Sequence, residues 1–173
     1  MRLFAAAWPP EGVVASLAAL ERPARPGVRW TGVSQWHVTL RFFGELDVDA
    51  GVEAGRRVAE AATRAAPAVA ELGPEVSTFG HNVLQVPVHG LDALAKVVVE
   101  ATSGIGQPPS SRPFSGHITL ARNRKKASLD GLVGEAVSAR WAVEDIALVA
   151  SVASGQPGVA NRYDVVATFP LTG

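Results

Sequence analysis

Cysteine is absent from all 173 residues, so the chain forms no disulfide and offers no thiol nucleophile or thiolate ligand. Neither sign of charge is in excess. Sixteen Lys and Arg balance sixteen Asp and Glu, which argues against a protein that coats long nucleic acid by bulk electrostatics. Apolar runs are short. None approaches the ~18 residues a membrane span requires, and the six-residue run Leu3 to Trp8, closed by Pro9, is too short for a signal-peptide core and reads as a buried strand. No Gly-x-Ser-x-Gly elbow occurs, which disfavours a serine hydrolase of that kind. A chain of this length buries about 70% of its unfolded surface without staples. The expectation is a soluble, cytoplasmic, single-domain monomer with no membrane and no obligate protein partner.

Histidine is also scarce, with four in the chain, yet two of them open the same tetrapeptide pattern: His37-Val38-Thr39-Leu40 and His117-Ile118-Thr119-Leu120. Both copies alternate apolar and polar residues with a period of two, which predicts strands over 36–43 and 117–121. On the first strand Trp36, Val38, Leu40 and Phe42 take one face and His37, Thr39 and Arg41 the other. On the second, Ile118 and Leu120 oppose His117 and Thr119. Each copy therefore presents an imidazole beside a hydroxyl. Two imidazoles can hold opposite protonation states near neutral pH and divide the two proton transfers of a displacement. Two hydroxyls can donate to an anionic oxygen between them. That set suits a phosphate diester and requires no metal. The competing readings are polar residues on a solvated face and a zinc site, and the latter lacks a second His at i+3 or i+4.

The remaining pattern alternates helices and strands with hairpins, which points to α+β. Helices are predicted at 11–21, 49–65, 91–103 and 128–138. Further strands are predicted at 2–8, 69–79, 82–88, 141–151 and 160–170, with a hairpin turn at Gly80-His81-Asn82. The motifs lie 80 residues apart, a spacing that suits two similar lobes around a shared cleft, and the Pro- and Gly-rich segment Gly104 to Pro113 reads as their connection. Basic residues gather in Arg22, Arg25 and Arg29 before the first motif and in Arg122, Arg124, Lys125 and Lys126 after the second. Either group is a candidate to touch phosphates flanking a reactive end, or a solvated loop. Phe79 and Phe114 are candidates to stack on a base, against the alternative that they are core. Phe43 reads the same way. His81 and His89 read as exposed polar residues.

These motifs and their flanks resemble the two-histidine (2H) phosphoesterases, and within them the bacterial RNA 2′,3′-cyclic phosphodiesterases, also called 2′-5′ RNA ligase-like proteins. Arg2 to Ala6 is similar to the family's opening strand, Trp36 to Glu45 to its first motif, Phe114 to Arg122 to its second, and Leu148 to Ser151 with Gly158 and Tyr163 to its closing strand pair. The resemblance implies a bilobal α+β fold in which two pseudo-symmetric lobes of antiparallel-rich sheet, with outer helices, surround a central cleft. It implies hydrolysis of a terminal 2′,3′-cyclic phosphate to a 2′-phosphate, without metal or other cofactor, with ligation through a 2′-5′ linkage as a related activity. His117 would be the base and His37 the acid, Thr39 and Thr119 would hold the non-bridging oxygens, and Arg122, with Arg41, would add positive potential. The alternatives are a binding module for RNA ends and a phosphodiesterase for another cyclic phosphate or a 2′-5′ oligonucleotide. One departure stands out: Gly116 occupies the position before the second His where the family commonly has Pro, which predicts a less rigidly aimed His117.

Overall fold

The computed structural model describes residues 1–123, 127–155 and 160–173. In chain order they form β1 (Arg2–Ala7), α1 (Glu11–Ala18), β2 (Val28–Trp30), a 3-10 turn (Val33–Gln35), β3 (Val38–Glu45), α2 (Val48–Arg64), β4 (Ala68–Leu72), β5 (Ser77–Phe79) and β6 (Val83–His89). These are followed by α3 (Asp92–Ala101), β7 (His117–Asn123), β8 (Ala139–Val143), β9 (Asp145–Val152) and β10 (Arg162–Pro170). The strands form one antiparallel sheet in the order β10-β9-β1-β3-β7-β6-β4-β8, with β2 added to β7 and β5 to β6.

That order divides into two matching halves. In each, a histidine-bearing strand, β3 or β7, pairs outward with β1 or β6, and two further strands complete the set. The halves meet where β3 pairs β7 at Val38↔Ile118. The main apolar core lies on the side of the sheet away from the cleft. There Leu3, Val38, Phe43, Val86 and Ile118 pack against α2 and α3 through residues such as Ala54, Val58, Leu94 and Val98. Helix α2 follows from its sequence: the Asp47 side chain accepts the Ala50 N–H at 2.8 Å, Asp49 lies in the first turn and Arg64 in the last, both favourable to the helix dipole. Its small buried residues Gly51, Ala54, Ala61 and Ala62 let the helix sit close to its neighbours.

The predicted helix over 128–138 is absent. Leu129, Leu132 and Val137 are buried at a spacing that mimics a helix, but the chain reverses through Gly131 at φ 75° and Gly134 at φ 90°, values no α-helix accommodates. Glu75 instead bridges Ala136. The predicted strand 69–79 is two strands. Gly73, at φ 114°, sits where an added Cβ would lie 2.2 Å from the Val137 carbonyl oxygen, so close backbone approach ends β4 there. The hairpin at 80–82 forms as expected, with Phe79 paired to Val83. The segment 104–113 connects α3 to β7 without regular structure.

Candidate active site

Pairing of Val38 with Ile118 fixes the geometry, because these are the residues between His and Thr in each motif. Continuing the antiparallel register by one residue sets His37 opposite Thr119 and Thr39 opposite His117, all on the cleft face. Both motif strands then bulge at the same rung. Against β1, Thr39 and Arg41 pair with consecutive residues, so Leu40 is the extra one; against β6, Thr119 and Ala121 do the same, so Leu120 is extra. A bulge shifts the alternation by one residue. Phe42 and Arg122 are thereby turned into the cleft, while Arg41 and Ala121 become buried.

The cleft encloses about 340 Å³ and is lined by both histidines and both threonines, with Phe42, Arg122, Arg29, Arg2 and Tyr163 among its other walls. His37 Nδ1–H donates to the Gln35 carbonyl at 2.8 Å, and His117 Nδ1–H donates to the Ser115 carbonyl at 2.8 Å. Each bond spans two residues back along the chain. It fixes the tautomer and leaves Nε2 as the working nitrogen of each ring. The Thr39 hydroxyl donates to His37 Nε2 at 3.0 Å.

Aromatic rings hold the imidazoles. His37 stacks on Phe4 at 4.8 Å between centroids and meets the edges of Trp8 and Tyr163. His117 stacks on Phe79 at 4.8 Å with planes 17° apart. Burial in this cage lowers the His37 pKa from 6.5 to about 4; the bond to the Gln35 carbonyl opposes the shift, and the positive charges of His117 and Arg122 add to it. The free site therefore carries His37 neutral at neutral pH.

Several expected site residues have other tasks. Arg41 is 4% exposed, lies over the Phe43 ring, and donates to the carbonyls of Phe42, Ile105 and Gln107. It ties the 104–113 connection to β3 and does not reach the cleft, because the Leu40 bulge inverts its face. Phe114 packs against the core and is not among the cleft walls. Phe79 is 41% exposed and stacks one ring face on His117. Phe43 is fully buried. Of the first basic group, Arg22 lies over Trp36 and Arg25 donates to the Asp130 carbonyl; Arg29 alone of the three lines the cleft. Arg124, Lys125, Lys126 and Gly158 lie outside the described residues. Among the described residues no group of three or more His, Asp or Glu is placed to hold a metal ion.

Thr31 is a supporting residue the sequence reading passed over. Its backbone N–H donates to the Leu120 carbonyl at 2.8 Å and its hydroxyl to the Thr119 carbonyl at 2.7 Å, which satisfies the carbonyls displaced by the β7 bulge. The Trp36 indole N–H donates to the same hydroxyl. Tyr163, Asn161 and Ser151 come from the far end of the chain; of these only Tyr163 and Ser151 fell within segments that the family resemblance pointed to.

Gly116 proves to be the opposite of a loosened joint. It is buried, its carbonyl accepts the Val88 N–H at 2.8 Å, and a Cβ there would stand 2.4 Å from the Val88 carbonyl oxygen. Pro carries that same Cβ, so the strand β6 backbone in this chain has closed into space that the family's usual residue would fill. Gly116→Ala is expected to cost about 1–3 kcal/mol by overpacking and to lower kcat/KM by displacing the Ser115 carbonyl that holds His117. Denaturant unfolding and steady-state kinetics check this; an alanine variant equal to the parent in both would show that β6 yields freely.

A family model for the 2′-5′ RNA ligase superfamily matches residues 9–154. The RNA 2′,3′-cyclic phosphodiesterase of Thermus thermophilus is 32% identical to this chain over 186 aligned positions, spanning 100% of this chain and 91% of the relative. A crystal structure of a Thermus thermophilus protein superposes with a TM-score of 0.84 at 29% identity, covering 100% of this chain and 99% of the other. E. coli LigT complexed with 3′-AMP superposes with a TM-score of 0.76 at 24% identity, covering 99% and 98%, which speaks to the fold. With two histidine-threonine strands joined at one rung of a bilobal sheet and a family match across most of its length, the chain belongs to the 2′-5′ RNA ligase superfamily.

Proposed function

We propose that this protein opens a 2′,3′-cyclic phosphate at an RNA end to leave a 2′-phosphate, by acid-base catalysis from two histidines. The observation that carries the reading is the diagonal arrangement of His37 and His117 about the Val38↔Ile118 pair, each with Nδ1 anchored to a backbone carbonyl, which leaves Nε2 as the nitrogen for proton transfer, at His37 beside the Thr39 hydroxyl. In-line displacement at phosphorus puts the attacking and leaving oxygens on opposite sides, and the diagonal puts one imidazole on each. His117 Nε2 takes the proton of a water as its oxygen bonds to phosphorus. The P–O3′ bond breaks, and His37 Nε2–H protonates the departing oxygen. Thr39, Thr119 and Arg122 hold the non-bridging oxygens, whose charge they stabilise in the transition state. The name carried by the Thermus relative supports the same reaction.

An RNA 5′-hydroxyl in the place of water would form a 2′-5′ linkage with the same two proton transfers. Water at ~55 M competes, so hydrolysis dominates unless the second RNA end is held in place.

The low pKa of His37 sets the pH test. One imidazole must be protonated and the other neutral in the same molecule, so kcat/KM, which reports the free enzyme, is expected to be bell-shaped, with the low His37 value of about 4 on its acid side. In the complex, the diester anion between the rings opposes the charge of Arg122 and raises that value. The acid limb of kcat is therefore expected at higher pH than that of kcat/KM. Turnover of a nucleoside 2′,3′-cyclic phosphate, measured across pH with EDTA present and with the product identified as the 2′- or 3′-phosphate, tests the whole reading. Loss of activity with EDTA would rule out the metal-free scheme. A rate that rises monotonically through the alkaline range would remove His37 from its role as acid.

A further inference from the structure

The cleft holds more positive charge than one cyclic phosphate needs. Arg2, Arg29 and Arg122 all line it, and no acidic residue does among the described residues. Arg2 is paired with Glu45 at 3.4 Å outside the reacting centre. Arg29 and Arg122 are different: they are direct cross-strand partners in the β2–β7 register, so their side chains leave the same face with Cβ atoms about 5 Å apart. Like charges directly opposite are destabilising, and among the described residues neither guanidinium has an ion-pair partner. An anion bound between them would offset that repulsion through charge-assisted hydrogen bonds.

The two arginines stand at different distances from the chemistry. Arg122 follows Thr119 on the motif strand itself and is among the charges that act on His37. Arg29 lies one strand further out, ~4.8 Å to the side, on a three-residue strand that ends beside Thr31, whose backbone and hydroxyl clasp the β7 bulge. Its half-buried position is thus fixed against the same strand that carries His117, Thr119 and Arg122. An RNA chain leaving a cyclic phosphate held by Arg122 has its next negative charge on the 5′-phosphate of the same nucleotide.

Building on the reading above, we propose that Arg29 recognises the 5′-phosphate of the terminal nucleotide, so that the cleft takes an RNA end carrying two successive phosphates in preference to a lone cyclic nucleotide. Arg29 is on this account a specificity residue, outside proton transfer. One strand supplies the contact to the reacting phosphate and its neighbour supplies the contact one step along the backbone.

Binding tests this separately from turnover, using adenosine 2′-phosphate and adenosine 2′,5′-bisphosphate as probes titrated calorimetrically. The wild type is expected to bind the bisphosphate at least ~10-fold more tightly, with the ratio shrinking as salt screens the second contact. In Arg29→Gln the ratio falls to near one, Arg29→Lys keeps part of it, and Arg122→Gln weakens both probes while preserving the ratio. Equal affinities in the wild type, a ratio indifferent to salt, or a ratio unchanged in Arg29→Gln would each overturn the assignment. So would equal weakening of both probes in Arg29→Gln, which would place Arg29 on the reacting phosphate. A wild type that binds with these ratios yet turns over no cyclic phosphate would overturn the proposed reaction and leave the Arg29 assignment standing.

Discussion

Alanine at His37 or at His117 is expected to lower kcat/KM for a 2′,3′-cyclic phosphate by ~100- to 10,000-fold, the range over which a positioned general acid or base acts. The two losses should not multiply. Each histidine serves one half of a single displacement, so the double variant is expected to fall little below the weaker single one. Stability must be followed alongside, because His37 is packed against Phe4, Trp8 and Tyr163 and its removal opens a gap in that cage. His117 is packed by Phe79 alone among the aromatic rings described. Replacing it should therefore disturb the fold less for a similar loss of rate. A fall of less than tenfold in either variant, with unfolding midpoints near the parent's, would remove that histidine from proton transfer.

Arg41→Met is expected to act on the fold and leave the chemistry alone. The substitution keeps a long apolar stem over Phe43 but strips the donor from three carbonyls, those of Phe42, Ile105 and Gln107. Bonds from a charged donor are worth more than neutral ones, and these part-buried acceptors would lose part of their compensation for desolvation. A loss of about 3 kcal/mol of unfolding free energy follows from those terms. The 104–113 connection should become more open to proteolysis, since Arg41 and the Gln107 N–H to Phe43 carbonyl bond are what fasten it to β3. Urea unfolding and limited proteolysis read both effects. A variant of parental stability with a large fall in kcat would return Arg41 to the cleft and contradict the register.

The alternation of the two tetrapeptides was legible because it is local: two residues per repeat fix the face of His and Thr as soon as Val38 and Ile118 are buried. What lay beyond it depended on neighbours. Nothing within Leu40 or Leu120 announces that each stands opposite no residue of β1 or β6, and those two unpaired positions decide that Phe42 and Arg122 face the cleft while Arg41 does not. The family resemblance pointed to Arg122, which strict alternation would have buried. Leu129 and Leu132 illustrate the converse failure, since apolar spacing of three is shared by a helix and by a loop that dips twice into the core. Arg29 was visible only as one member of a basic group. Its separation from Arg22 and Arg25 follows from a three-residue strand, too short to carry a periodic signal.

The matched bulges have a consequence for orientation. Two identical strands related by a half turn would present a substrate with two equivalent poses, and either ribose oxygen could then face either imidazole. At the rung where the repeats diverge, one strand offers an aromatic ring, Phe42, and the other a guanidinium, Arg122. A nucleotide is itself lopsided, with a flat base at one end and charge along the other. The pose that sets base toward ring and backbone toward guanidinium has no counterpart after the half turn. On the proposed reaction, these two walls and the unequal settings of His37 and His117 together would favour one direction of bond breaking over the other.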